Sequence, residues 1–180
     1  AGLLAREGHA VTVFGSDPIC ARRIEPLIAA GKIAFADGDV LALPFRDQQF
    51  DTVVSVRLLP HCIQWPSLVG EMCRVARRRV IVDYPLDSGL NRVAPFLFAA
   101  KKRMEGNTRT WLNFSHAQVA AEFERRSFRL VRRVGQFIMP MVLHRIAGSS
   151  IFSRMIEAPA RAAGLTRRFG TPVIAAFDRA

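Results

Sequence analysis

Short apolar, β-branched segments alternate with helix-like segments along much of this 180-residue chain. The strand-like runs occupy residues 9–15, 32–36, 51–56 and 80–83. Helix-like patterns follow the first and the third of these runs. Such a rhythm is typical of βαβ units, in which helices connect parallel strands. It predicts an α/β fold built on a mostly parallel sheet.

The second half of the chain departs from this rhythm. Residues 86–114 are punctuated by glycine, asparagine and proline, and residues 150–164 have the pattern of a helical insert. Strand-like segments at residues 129–137 and 172–177 flank that insert, and we expect them to pair as an antiparallel edge of the sheet. We expect the whole chain, residues 1–180, to be one domain.

Several side chains mark the starts of helices. Asp17 and Pro18 suit the N-cap and first turn of a helix that runs to about residue 30. Ser115 and Gln118 have the spacing of a capping box, which predicts another helix start. Apolar residues one turn apart predict a helix over residues 66–77.

The formal net charge of +11 raises the question of an anionic partner. Almost all the basic residues are arginines, and they are scattered apart from a triplet at residues 77–79 and a few adjacent pairs. Scattered charge favours a solvated basic surface, so a nucleic-acid partner is the less favoured interpretation.

The three cysteines, Cys20, Cys62 and Cys73, have the spacing of neither a disulfide framework nor a zinc site. We therefore expect no metal site and a reducing, cytoplasmic location. No apolar run approaches the roughly 18 residues that a membrane-spanning helix needs.

Polar residues follow the predicted strands at the ends where open α/β sheets bind ligands. Asp17 follows the first strand, Asp39 follows the second, and the segment after Val56, which ends at His61, follows the third. The arrangement predicts a ligand site at this edge of the sheet.

The order of these motifs resembles that of the class I S-adenosylmethionine-dependent methyltransferases, in particular the branch that acts on small molecules. The resemblance rests on GHAVTVFGSD, GDVLALPFRDQQFDTVVS and GEMCRVARRRVIVDYP. It implies a Rossmann-like, doubly wound fold, S-adenosylmethionine as cofactor and methyl transfer as the activity. Because a sulfonium methyl group is already activated, positioning of the reactants can supply much of the acceleration.

The resemblance also implies cofactor contacts after the first two strands. Asp17 matches the residue that accepts hydrogen bonds from both ribose hydroxyls, although a two-residue shift in alignment would place Gly15 there. Asp39 matches the residue that accepts from the adenine amino group, with Gly38 in the turn and Val40 against the purine. For each aspartate, a local capping role is the alternative.

The segment after the third strand is expected to run beneath the sulfonium end of the cofactor. Ser55 and Arg57 are candidate cofactor contacts. His61 is the candidate catalytic base, because histidine exchanges protons near neutral pH, and a structural histidine is the alternative. Asp51 begins the strand at the opposite end, so we expect a turn or strand-start role for it.

The first strand and the glycine-rich loop of this family are missing from the sequence. Glycines in that loop let backbone N–H groups approach the cofactor. We therefore expect an N-terminally truncated, Rossmann-like sheet without its first strand, and a chain that by itself binds S-adenosylmethionine poorly.

Residues 86–114 lie where this family places substrate lids. Apolar residues there and at residues 137–146 favour a small, hydrophobic, lipid-like acceptor or peripheral contact with a membrane; core packing is the alternative. Three other functions stay open: an RNA or protein methyltransferase, a non-catalytic methyltransferase-like binding module, and a Rossmann-type oxidoreductase.

Overall fold

The computed structural model describes residues 1–87, 111–137, 166 and 170–180. The chain divides into two compact units, Ala1–Arg46 and Asp47–Ala180. Residues 88–110 of the expected lid, residues 138–146 of the apolar stretch and the expected helical insert at 150–164 all lie outside the described residues.

The first unit is a small βαβ arrangement. Its elements are α1 (Gly2–Arg6), β1 (Thr12–Gly15), a 3-10 helix (Pro18–Arg23), α2 (Glu25–Ala29) and β2 (Ala34–Asp37). The two strands pair in parallel, as predicted. The single helix expected up to residue 30 is divided at Ile24, because Pro26 in the following turn has no N–H to continue the hydrogen-bond ladder.

The second unit contains a four-stranded sheet with helices packed against it. Its elements are β3 (Phe50–Ser55), a 3-10 helix (Leu59–His61), α3 (Trp65–Val75), β4 (Ala76–Tyr84), α4 (His116–Glu124), β5 (Phe128–Phe137) and β6 (Thr171–Arg179). The strand order is β3-β4-β6-β5. β3 and β4 are parallel, whereas β6 is antiparallel to both of its neighbours. The predicted α/β class and the antiparallel pairing of the two late strands are confirmed, with β5 outermost.

The core of the second unit lies between one face of the sheet and helices α3 and α4. Val80 and Phe177 from the strands are almost fully buried, as are Val69 and Phe123 from the helices. The rings of Phe123 and Phe177 are stacked, with their centroids 3.9 Å apart. Stacked aromatic rings add to the free energy of burial, so this contact anchors α4 to the sheet.

Local sequence accounts for the limits of the two long helices. Ser115 and Gln118 form the predicted capping box: the Gln118 N–H donates to Ser115 Oγ at 3.1 Å, and the Ser115 N–H donates to Gln118 Oε1 at 3.0 Å. α3 ends at Val75, two residues before the predicted end at residue 77. The arginine triplet at residues 77–79 lies on β4, where Arg79 is opposite Asp178 and forms an ion pair with it.

Within the described part of the chain, no helix combines the length and the apolar character of a membrane span. The same residues contain no group of three or more His, Cys, Asp and Glu side chains placed to hold a metal ion.

Candidate functional site

In the first unit, the carboxyl ends of β1 and β2 place Asp17 and Asp39 at the same sheet edge. Asp17 Oδ1 accepts a hydrogen bond from the Ile19 N–H at 2.7 Å and caps the 3-10 helix. Asp39 Oδ1 accepts from the Leu41 N–H at 2.8 Å. Both local roles are therefore present. A carboxylate has two oxygens with several acceptor sites, so neither capping bond prevents a second contact with a ligand hydroxyl or amino group.

Glycine is needed at two points of this edge. Gly38 has a φ of 143°, which side chains rarely tolerate, and its N–H donates to the Gly15 carbonyl at 3.1 Å. A Cβ atom at Gly15 would lie 2.7 Å from Cys20 Cβ, so packing requires glycine there. Val40 follows Asp39 and is partly buried. The predicted adenosine-binding residues thus lie on one turn-rich edge with fixed backbone geometry.

In the second unit, β3 ends at Ser55, whose hydroxyl oxygen is buried. Among the described residues, Ser55 Oγ is the only buried side-chain nitrogen or oxygen atom that has no hydrogen-bond partner. A buried hydroxyl without a partner is unfavourable, and such groups in native proteins commonly face a ligand or an ordered water. The position at the carboxyl end of a parallel strand fits a polar group of a bound cofactor.

The loop after Ser55 has an unusual backbone conformation. Arg57 has a φ of 59°, in the left-handed region, and its N–H donates to Asp83 Oδ1 at 2.6 Å. Its side chain is exposed. Leu59 and Pro60 are buried immediately afterwards, so the loop is fixed at both of its ends.

His61 ends this loop and packs against an aromatic side chain from a distant part of the sequence. The His61 and Trp111 rings meet edge to face, with centroids 5.2 Å apart. The Leu112 N–H donates to the Pro60 carbonyl at 2.9 Å, which joins the two segments. Trp111 is 58% exposed. Ile63, two residues after His61 in the sequence, is 73% exposed. The surroundings of His61 are therefore apolar and open.

Tyr84, at the end of β4, belongs to the core. It is almost fully buried, and its hydroxyl lies 3.1 Å from His116 Nδ1. Burial raises the pKa of Tyr84 to about 12. Burial also lowers the pKa of His116, and the positive charge of Arg133 lowers it further. Both side chains therefore stay neutral near pH 7, which suits a packing role.

The candidate residues fall into two groups, one in each unit. Asp17, Gly38, Asp39 and Val40 belong to the first unit, and Ser55, Arg57 and His61 belong to the second. Asp51 lies near the start of β3, at the opposite end from His61, and its exposed carboxylate is 3.2 Å from Arg77. Asp51 therefore has the strand-start position expected of it.

Two described cavities lie elsewhere. The first has a volume of about 260 Å³ and is lined mainly by residues that precede β3 or lie in the last part of α3. The second has a volume of about 330 Å³ and is lined mainly by residues around the start of β5. None of the candidate residues lines either cavity. Both cavities lie at the sheet edge that contains the amino ends of β3 and β5 and the carboxyl end of the antiparallel β6, whereas open α/β sheets bind ligands at the carboxyl ends of their parallel strands.

Sequence reasoning missed two residues that shape this region, Asp83 and Trp111. An aspartate inside the apolar stretch VIVDYP was a usable signal, because a buried carboxylate needs a specific partner. Trp111 gave no local signal, since its contact with His61 depends on the tertiary fold.

A family model matches the first part of the chain. Residues 2–82 match the family described as a methyltransferase domain. This match covers both strands of the first unit and, in the second, β3, α3 and most of β4. Among curated proteins, no sequence matches the chain.

Solved structures share the fold at low sequence identity. The magnesium protoporphyrin IX methyltransferase of Synechocystis PCC 6803, crystallised with S-adenosylhomocysteine, is 16% identical with a TM-score of 0.66, and the match covers 99% of this chain and 68% of that chain. A SAM-dependent methyltransferase of Methanosarcina mazei is 13% identical with a TM-score of 0.62, covering 98% of this chain and 85% of that chain.

Proposed function

We propose that the chain is a class I S-adenosylmethionine-dependent methyltransferase that transfers a methyl group to a small hydrophobic acceptor. The match of residues 2–82 to a methyltransferase domain supports the reaction type. The single observation that carries the choice of acceptor is the apolar, open surface around His61. Trp111 and Ile63 are each more than half exposed, and exposed apolar side chains that form a contiguous patch often mark a binding site.

The first unit supplies the residues proposed to bind the adenosine part of the cofactor. The free oxygen of Asp17 accepts from the ribose hydroxyls, and Asp39 accepts from the adenine amino group. Val40 packs against the purine, and the absence of a side chain at Gly38 lets the backbone approach the ring. In the second unit, we propose the buried Ser55 hydroxyl and Arg57 as further cofactor contacts.

The cofactor supplies an activated sulfonium methyl group. The residues of this chain then need only bind, orient and deprotonate the acceptor. In the proposed mechanism, a ring nitrogen of His61 takes the proton that the acceptor's hydroxyl, carboxyl or amino group loses when its heteroatom is methylated. Trp111 holds the imidazole ring edge to face, which limits its rotation.

The acceptor is proposed to lie against Trp111 and Ile63. The Trp111 Nε1–H already donates to Asn113 Oδ1 at 3.1 Å, so the ring offers mainly apolar contact. Burying exposed aromatic area contributes about 25 cal/mol per Å². A hydrophobic acceptor therefore gains free energy of binding here that a strongly polar one does not.

The test is a methyl-transfer assay with radiolabelled S-adenosylmethionine and a panel of small acceptors that differ in hydrophobicity. We expect transfer to the hydrophobic members, and we expect His61→Ala to lower kcat by about 10²-fold or more, the usual contribution of a general base. Asp51→Asn is the matched control, because Asp51 lies at the other end of the same strand, and it should keep full activity. Transfer restricted to RNA or protein, or full activity in His61→Ala, would contradict the proposal.

A further inference from the structure

Asp83 is a buried carboxylate in the apolar second half of β4, which follows the arginine triplet. It is the penultimate residue of β4 and is only 7% exposed. Burying a charge is costly, and a well-packed apolar residue at such a position is often at least as stabilising. Stability of the strand therefore does not explain an aspartate here.

The described partner of Asp83 is the backbone of the candidate active-site loop. The last parallel pair of the β3–β4 ladder joins Ser55 and Val82. Two residues past Ser55, the Arg57 N–H donates to Asp83 Oδ1 at 2.6 Å. The carboxylate thus continues the connection between the two strands after their backbone ladder has ended.

Arg57 is held in a conformation that it would not choose by itself. Its φ of 59° lies in the left-handed region, where a side chain crowds the backbone. A residue other than glycine stays there only when its surroundings impose it. A short, charge-assisted hydrogen bond to a buried carboxylate is such a constraint.

We infer that Asp83 is a positioning residue, which holds Arg57 in the left-handed conformation and thereby fixes the loop that presents His61. The loop turns at Arg57, becomes buried at Leu59 and Pro60, and brings His61 against Trp111. Release of Arg57 would allow the turn to relax into an ordinary conformation. The His61 ring would then lose its fixed position against Trp111.

The test measures loop geometry rather than activity, so it is independent of the catalytic role that we propose for His61. Amide hydrogen exchange at Arg57 reports the hydrogen bond directly. In a Trp65→Phe background, which leaves Trp111 as the single tryptophan, fluorescence emission reports its contact with His61. Far-UV circular dichroism checks that each variant is folded.

We expect Asp83→Ala to speed exchange of the Arg57 amide at least about tenfold, since a hydrogen bond to a charged group is lost. Emission of Trp111 should shift as its contact with His61 loosens. Asp83→Asn keeps an acceptor oxygen and should have a smaller effect on both measurements.

The decisive variant is Asp83→Ala combined with Arg57→Gly. Glycine adopts the left-handed conformation without strain, so Trp111 emission should return to the wild-type value. The amide at position 57 should still exchange rapidly, because its acceptor is missing. Unchanged exchange in Asp83→Ala, or emission that glycine fails to restore, would overturn the inference.

If Asp83→Ala does not fold, Arg57→Val provides the same test with Asp83 intact. A β-branched residue disfavours the left-handed region strongly, so Trp111 emission should shift in this variant. Wild-type emission in folded Arg57→Val would overturn the inference, since the loop would then not depend on the conformation of residue 57.

Discussion

The two units differ sharply in how much of their sequence is buried. In the first unit, all of which is described, Ile33 is the only buried residue, at 4% exposed. Its strands are four residues long and form a two-stranded sheet. The second unit contains the four-stranded sheet and almost the whole described core.

This difference shows that the family signature and the stability of the fold depend on different residues. The first unit carries the motifs proposed to bind adenosine, which consist of turns, glycines and exposed carboxylates. Such residues can be recognised in a sequence, but they bury little apolar surface and so stabilise little. A two-stranded sheet is marginal by itself. The second unit supplies the stable framework.

We expect the largest effect from core substitutions, which should destabilise the two units by different amounts. Phe123→Ala removes the ring that stacks on Phe177 and should lower the free energy of unfolding of the second unit by about 3–5 kcal/mol. Ile33→Ala should cost less, about 2 kcal/mol, and should speed amide exchange only in the first unit.

Urea unfolding followed by circular dichroism measures the first effect, and residue-resolved hydrogen exchange measures the second. Val131→Ala is the control, because Val131 is half exposed and should change stability by less than about 0.5 kcal/mol. Faster amide exchange throughout both units in Ile33→Ala would contradict the expectation that only the first unit is affected.

The next largest effect concerns a buried carboxylate of α4 whose arginine partner also contacts α3. Glu122 is 6% exposed and is paired with Arg126, whose guanidinium also donates to the Pro66 carbonyl at 2.8 Å. Arg126→Ala leaves this carboxylate poorly compensated, so we expect a loss of about 2–3 kcal/mol in urea unfolding.

Arg125 is the matched control for Arg126. It also pairs with Glu122, at 3.0 Å, but its side chain is 74% exposed. Arg125→Ala should therefore cost no more than about 0.5 kcal/mol. Adding Glu122→Gln to Arg126→Ala should recover part of the loss, and equal losses for the two arginines would contradict this account.

The smallest expected effect is a dependence of second-unit stability on pH. Burial, and then the charge of Arg133, lowers the pKa of His116 in the folded protein. The unfolded chain therefore binds a proton first as the pH falls through about 6.5. Stability is fully present above that pH and decreases below it.

Replacing the histidine should reduce this dependence. We expect His116→Phe to flatten the fall in the urea midpoint between pH 7.5 and 5.5. The control is His9→Asn, in the exposed turn of the first unit, which should leave the wild-type pH profile intact. A His116→Phe profile identical to the wild type would exclude His116 as the source.

Local sequence predicted what depends on local interactions. The strand–helix order, the capping box at Ser115 and the Gly38 turn follow from nearest-neighbour chemistry and are present in the structure. The division of the predicted helix at Ile24 was also readable, from Pro26, although the prediction did not use it.

The candidate site was less predictable, because it depends on contacts between distant residues. The bond from Arg57 to Asp83 spans 26 positions, and no local pattern indicates it. The left-handed conformation of Arg57 is equally hidden, since an arginine does not signal it as a glycine would. Sequence thus indicated Arg57 and His61 as candidates but not the side chain that positions them.

The central claim is that this chain binds S-adenosylmethionine through the exposed edge of the first unit. An NMR titration with S-adenosylhomocysteine tests it most directly, because amide shifts also detect weak binding. We predict saturable shifts at Asp17, Gly38 and Val40 that disappear in Asp39→Ala and persist in Asp51→Ala. Shifts in Asp39→Ala that are identical to those of the wild type would contradict the account. So would shifts confined to residues outside this edge.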